Sequence, residues 1–206
     1  MSEEKLIVFV KAPRPGTVKT RLAKSIGTNA ACGAYCLLVE TLLRRIERLE
    51  NVELRFTPDD AADEIRSWLR KTWQTSPQGA GHLGERLQRA FQTAFQNGAN
   101  RVVVIGSDCP EITADDVDRA WSALKTNDSV LGPARDGGYW LIGLRQPQPA
   151  LFQNISWSTA TVFEETLARA KAARLNVKLL RQLTDVDTEH QWREFVAHRK
   201  TISDRV

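Results

Sequence analysis

Leu6-Ile-Val-Phe-Val-Lys-Ala-Pro-Arg-Pro-Gly-Thr-Val-Lys-Thr-Arg-Leu22 is the stretch on which the fold turns. A short apolar run gives way to a loop rich in Pro, Gly and Thr, with Lys11, Arg14, Lys19 and Arg21 gathered within it. The run is too short and too β-branched for a helix, so residues 5–11 read as a buried strand. A strand that opens into a flexible basic loop, with a helix to follow, puts cations and backbone N–H groups at the carboxyl edge of a sheet. Open α/β folds bind ligands at that edge, and phosphate is the ligand such a loop suits. The residues expected to meet a nucleotide there are Lys11, Ala12, Pro13, Gly16, Lys19 and Arg21. A solvated basic turn has the same composition, so the loop needs partners elsewhere in the chain.

Working outward, strands and helices alternate. Residues 29–50 form a long amphipathic helix, with Leu37, Leu38, Leu42, Ile46 and Leu49 on its apolar stripe. Residues 52–57 alternate as a strand. Pro58-Asp-Asp60 stops it and opens a helix over about 61–70. A short strand near 72–76, a loop at 77–81 and a helix at 83–97 come next. Residues 101–106 are the clearest buried strand, followed by a helix at 113–125. Two strands at 128–132 and 138–143 flank a Gly-rich turn; a helix at 158–173, a strand at 176–180 and a helix at 188–199 complete the count, with 200–206 as a loose tail. This order predicts one three-layer α/β/α domain over 1–206, of Rossmann-like form, with a mostly parallel sheet covered on both faces.

Bulk properties narrow the function. With 29 basic against 25 acidic residues, the net charge of +4 is mild and interspersed, which suits anionic small molecules and gives no aromatic–basic stripe for nucleic acid. No stretch reaches membrane-span length, and Met-Ser-Glu-Glu-Lys lacks the apolar core of a signal peptide, so a cytoplasmic protein with neither membrane nor nucleic-acid partner is expected. Cys32, Cys36 and Cys109 have no zinc-like spacing, and the first two suit buried packing better than a disulfide. The sequence does not fix the oligomeric state, and a homodimer is one option.

Four constellations carry chemistry. Gly106-Ser-Asp-Cys-Pro-Glu111 follows the strongest strand, so Asp108 stands at that strand's carboxyl end, where a carboxylate can hold Mg²⁺ (or Mn²⁺) against phosphate oxygens. Capping of the next helix is the plainer account of Asp108 or Glu111. In Thr184-Asp-Val-Asp-Thr-Glu-His190, an extended backbone turns Asp185 and Asp187 to one face. Thr188 and Gln191 then read as a capping box, and Asp187 as a second metal ligand. Arg135-Asp-Gly-Gly-Tyr139 is an Asp-Gly hairpin turn whose bare backbone at Gly137 and Gly138, with Arg135, Asp136 and Tyr139, would line a substrate pocket. In Gln78-Gly-Ala-Gly-His82, Gly79 and Gly81 would let a base lie on the backbone and Gln78 would read its edge, while His82 is an exposed loop histidine. Trp157 is an aromatic wall or a core residue, and Ser158 or Thr159 caps the helix after it.

Lys11–Leu22, Gly79–Arg86, Gly106–Pro110, Gly132–Tyr139 and Asp185–Thr188, in this order, resemble the nucleotide-diphospho-sugar transferase superfamily of GT-A-like fold. The similarity is to its small bacterial branch of glycosyltransferase-like proteins, related to 2-phospho-lactate guanylyltransferases. It implies a nucleotide across the first loop with Lys19 and Arg21 on its phosphates. It also implies metal-binding aspartates at Asp108 and Asp187. The usual Gly-rich Leu-Ala-Ala-Gly-x-Gly loop of the nucleotidyltransferases is replaced here by Lys-Ala-Pro-Arg-Pro-Gly. A single acid in Ser107-Asp-Cys-Pro110 replaces the Asp-x-Asp of the glycosyltransferases. The expected activity is Mg²⁺-dependent nucleotidyl transfer from an NTP to a small phosphorylated acceptor, with Lys19, Arg21 and Asp108 catalytic. Sugar transfer from an NDP-sugar and a non-catalytic nucleotide-binding module are the alternatives.

Overall fold

Seven strands form one sheet in the order β3-β2-β1-β4-β6-β5-β7, as a computed structural model of residues 4–203 describes it, with side chains through Arg199. The strands are β1 (Glu4–Lys11), β2 (Val52–Thr57), β3 (Gln74–Pro77), β4 (Arg101–Gly106), β5 (Ser129–Pro133), β6 (Tyr139–Leu144) and β7 (Val177–Leu179). Only β6 runs antiparallel to its neighbours, pairing with β4 and with β5 across the predicted hairpin. The helices are α1 (Thr20–Ile26), α2 (Thr28–Arg45), α3 (Leu83–Gln96), α4 (Ala114–Ala123), α5 (Val162–Ala172) and α6 (Glu189–Ser203). The expected tail at 200–206 is helical through Ser203, and 204–206 lie outside the described residues.

The apolar run of β1 is continuous because both its faces are covered. Leu6, Val8 and Val10 pack with Tyr35, Val39 and Leu42 of α2 and with Val117 of α4. On the opposite face Ile7 packs with Val102 and Val104 of β4 and with Leu87 and Phe91 of α3. β1 pairs with β2 on one side and β4 on the other, and the chain visits β2 before it returns to β4. The carboxyl ends of β1 and β4 therefore border the crevice that such a change of direction opens.

Three local expectations fail. Residues 61–70 make successive turns and a short 3₁₀ segment (Arg66–Trp68) in place of a helix. Ala61, Ile65 and Trp68 are buried as the periodicity foretold, but the backbone bonds run to the third residue back, as from Trp68 N–H to Ile65 C=O. Arg14 meanwhile draws Asp60 and Glu64 toward the first loop. Ahead of α2 stands the separate helix α1, and α2 itself ends at Arg45. Finally, α5 starts four residues late: Ser158 has a positive φ of 66°, and Thr159 bonds Ser156 and Thr161 in a local turn, so neither caps the helix. All three cysteines are free; Cys32 is buried and Cys36 half-buried.

Candidate active site

Lys19 is the centre of the crevice. It sits at the head of α1 in the left-handed region (φ 47°, ψ 45°), a conformation that costs a residue with a Cβ on the order of 1–2 kcal/mol. The ammonium lies 2.5 Å from Asp108 Oδ1 and 2.9 Å from Asp187 Oδ1, with the lysine side chain 2% exposed and the two carboxylates 48% and 33% exposed. Burial works against the charge of Lys19, but the attraction of Asp108 and Asp187 outweighs it and raises its pKa. Loop geometry brings the three together. Asp108 follows β4, and Asp187 precedes α6 on a segment held when Val186 N–H donates to Asp108 C=O. Thr188 and Gln191 form the expected capping interaction at α6. Neither Asp108 nor Glu111 caps α4; Thr113 and Asp116 do so reciprocally.

A cleft of about 590 Å³ surrounds this centre. Of the residues expected to bind nucleotide, substrate or metal, Lys11, Lys19, Arg21, Gln78, Gly81, Asp108, Tyr139 and Asp187 line it. Ala12, Pro13, Gly16, Gly79, Arg135, Asp136, Gly137, Gly138 and Trp157 do not. Arg14 is paired with Asp60 and Glu64, so the cations open to the cleft are fewer than the loop composition implied. Lys11 and Arg21 form no ion pair among the described residues.

Gln78 departs from its expected role. It is 4% exposed, and its amide donates to Val10 C=O (3.1 Å) and Arg55 C=O (3.0 Å), so its donors tie β1 to β2 and cannot read a base. Gly81 keeps its backbone at φ 104°, where a Cβ would strike the Glu85 carboxylate that accepts from His82 N–H. The glycine serves this turn rather than a flat ligand. His82 is no bystander: its Nδ1 accepts from Gly84 and Glu85 N–H and completes a capping box at α3.

The hairpin likewise turns inward. A Cβ on Gly137 (φ 90°) would stand 2.0 Å from Ala160 C=O, and Gly137 C=O accepts from Phe163 N–H. Its bare backbone is thus covered by the loop ahead of α5 and is not available to a substrate. Arg135 and Asp136 are exposed at the tip, where Asp136 accepts from Gly138 N–H. Trp157 packs on Gly84 and stacks with His82 at 6.5 Å between ring centres. Cys109 is buried, donates weakly to Thr184 C=O, and burial pushes its thiol pKa up, so it behaves as packing.

Sequence reasoning gave no role to several lining residues. Asp185 joins the acidic side: burial first, then Asp108, Asp136 and Asp187, push its carboxyl up to about 7 against the pull of Lys19. The alternation that paired it with Asp187 was the signal. Arg86 reaches into the cleft from α3; its Nε donates to Gly81 C=O at 2.8 Å, and it has no acidic partner among the described residues. Tyr35 and Ser107 share a 3.1 Å hydrogen bond beneath the centre, and the tyrosine oxygen accepts from Lys11 N–H at 2.8 Å, fixing the end of β1 to α2. No sequence pattern marks that contact, since it joins residues 72 apart.

Comparison with known proteins places this arrangement in context. The phosphoenolpyruvate guanylyltransferase of Sphaerobacter thermophilus is 25% identical over 93% of this chain and 93% of its own. The 3-phospho-D-glycerate guanylyltransferase of Phenylobacterium zucineum is 29% identical over 82% of this chain and 72% of its own. A crystal structure from Desulfovibrio desulfuricans G20, assigned to the nucleotide-diphospho-sugar transferases, superposes with a TM-score of 0.86 at 38% identity, covering 91% of this chain and 84% of that one. The fold is accordingly the α/β nucleotide-diphospho-sugar transferase fold. A family model described as an uncharacterized protein conserved in bacteria matches residues 42–159, more than half of the chain, and the protein belongs to that family, DUF2064.

Proposed function

We propose that this protein is a nucleotidyltransferase that joins an NTP, GTP in the first instance, to a small phosphorylated acid and releases pyrophosphate. The observation that carries it is the convergence of a buried lysine and two half-exposed carboxylates from three separate loops on one cleft at the carboxyl edge of the sheet. Both curated relatives are named guanylyltransferases of phosphorylated acids, which supports the base and the acceptor class. An acceptor phosphate oxygen attacks the α-phosphorus, the bond from that phosphorus to the α,β-bridging oxygen breaks, and pyrophosphate departs. The acceptor arrives with its nucleophilic oxygen already ionised, so positioning and charge neutralisation are what the protein must supply. Lys11, Lys19 and Arg21 neutralise the polyphosphate.

Asp108 and Asp187 suit a hard divalent cation. Each engages one oxygen with Lys19 and leaves the other unpaired among the described residues. Two protein carboxylates are the number Mg²⁺ commonly takes while keeping water. When bound, such an ion supplies positive charge against the phosphate oxygens.

Thermal-shift screening against NTPs, NDP-sugars and NMPs, each with and without Mg²⁺ or Mn²⁺, tests the reading. Ligand at about 100 times its Kd adds roughly 2.7 kcal/mol to stability. Stabilisation by GTP that deepens with metal is the expected result. A preference for an NDP-sugar would move the assignment to sugar transfer, the reading favoured by the class of the Desulfovibrio structure.

A further inference from the structure

The Lys19 ammonium stands where a divalent ion would have to be. It touches Asp108 Oδ1 at 2.5 Å and Asp187 Oδ1 at 2.9 Å, and its side chain is almost wholly buried. An ion held at about 2.1 Å by the same two oxygens would lie no farther than about 5 Å from the ammonium, in like-charge repulsion within a partly desolvated cleft. We propose that Lys19 is a resident cation, which keeps the carboxylate pair closed to a divalent ion until a polyphosphate draws the ammonium away. Metal loading and nucleotide binding are then coupled. This rests on the reading of Asp108 and Asp187 as the metal ligands.

Two further observations support a lysine that moves. Its backbone is in the left-handed region, and a strained residue persists only while its surroundings enforce it. The Lys19 carbonyl is held by Ala23 N–H at the start of α1 and its ammonium by the two aspartates, so only the side chain need move. Lys11 and Arg21 also line the cleft, and neither forms an ion pair among the described residues. They can therefore hold a polyphosphate before any metal arrives. A triphosphate so placed offers Lys19 new oxygens in exchange for those it gives up, and the carboxylates become free in the same event. By linkage the effect is reciprocal: metal must tighten nucleotide by the factor by which nucleotide tightens metal.

The test reads metal binding without catalysis. Mn²⁺ affinity is measured from loss of the free-ion EPR signal for wild type, K19M and K19M/D108N, all without nucleotide. Proton relaxation enhancement with α,β-methylene GTP, which cannot release pyrophosphate, then gives the affinity in the ternary complex. Wild type is expected to bind Mn²⁺ alone at least ten-fold more weakly than K19M, and D108N should remove that gain. The analogue should tighten Mn²⁺ at least ten-fold for wild type and much less for K19M. Should K19M fail to fold by circular dichroism, K19Q takes its place. Equal Mn²⁺ affinity of nucleotide-free wild type and K19M, abolished by D108N, overturns the role of Lys19 and leaves the metal reading standing. No Mn²⁺ binding by any variant, with or without the analogue, overturns both.

Discussion

Two buried lysines in this chain meet carboxylates, and they do so in opposite ways. Lys5, near the start of β1, lies 3.6 Å from Glu53 Oε2 and donates to Gln74 Oε1 at 2.8 Å. Glu53 Oε1 accepts from Arg55 at 2.8 Å and from Ser76, and Lys5 faces Oε2, so both its oxygens are engaged and both its cationic partners are buried. Lys19 instead holds two carboxylates that are one-third to one-half exposed, each with an oxygen to spare. The closed network joins β1, β2 and β3; the open one faces a cleft that Lys11, Arg21 and Arg86 also line. A buried ion pair says little about function until its unfilled positions are counted.

Substitutions should separate the two. Asp108→Asn is expected to lower turnover about 10²–10³-fold, the usual loss when one electrostatic contributor is removed from such a site. Its melting temperature should scarcely move, because the lost pair is half-exposed and Asp187 still neutralises Lys19. Glu53→Gln should do the reverse, destabilising by about 3 kcal/mol as Lys5 and Arg55 lose their buried counter-charge, with kcat/KM of the folded enzyme unchanged. Chemical denaturation beside steady-state kinetics checks both. If Glu53→Gln depressed turnover as strongly as Asp108→Asn, the division would collapse.

Acid sharpens the contrast. Burial alone would raise the Glu53 pKa, but the Ser76 hydrogen bond and the charges of Arg55 and Lys5 outweigh it and set it below the ordinary value. Asp116 is lowered in the same manner by Arg181 and Thr113. Folded carboxyls that bind protons less readily than unfolded ones stabilise the protein fully above the unfolded pKa, near pH 4, and progressively less as pH falls through their folded values. Stability should therefore drop steeply below about pH 4, and Glu53→Gln should flatten that slope. The smallest effect expected is Thr113→Ala, about 1 kcal/mol for the loss of the α4 cap, with the cleft untouched.

Local signals account for most of what could be read in the chain. The β1 and β4 runs, the Asp-Gly hairpin and the Thr188–Gln191 cap each depend on neighbours in sequence, and each formed as expected. That Lys19, Asp108 and Asp187 would come together was legible from their places at strand or helix ends, because topology brings such ends to one edge. Gln78 and Gly137 were misread because their partners are distant: a glutamine amide looks the same whether it faces a base or the carbonyls of Val10 and Arg55. The 61–70 segment misled for a related reason. Its apolar spacing was that of a helix, and the tie from Arg14 to Asp60 and Glu64 lies 46 to 50 residues away.

Phosphorus NMR of the purified protein with GTP, Mg²⁺ and either phosphoenolpyruvate or 3-phosphoglycerate tests nucleotidyl transfer most directly. The account predicts equal growth of free pyrophosphate and of a new diphosphate bridge between acceptor and GMP, both abolished by Asp108→Asn. An unchanged GTP spectrum with every phosphorylated acid, alongside cleavage of an NDP-sugar, would contradict it.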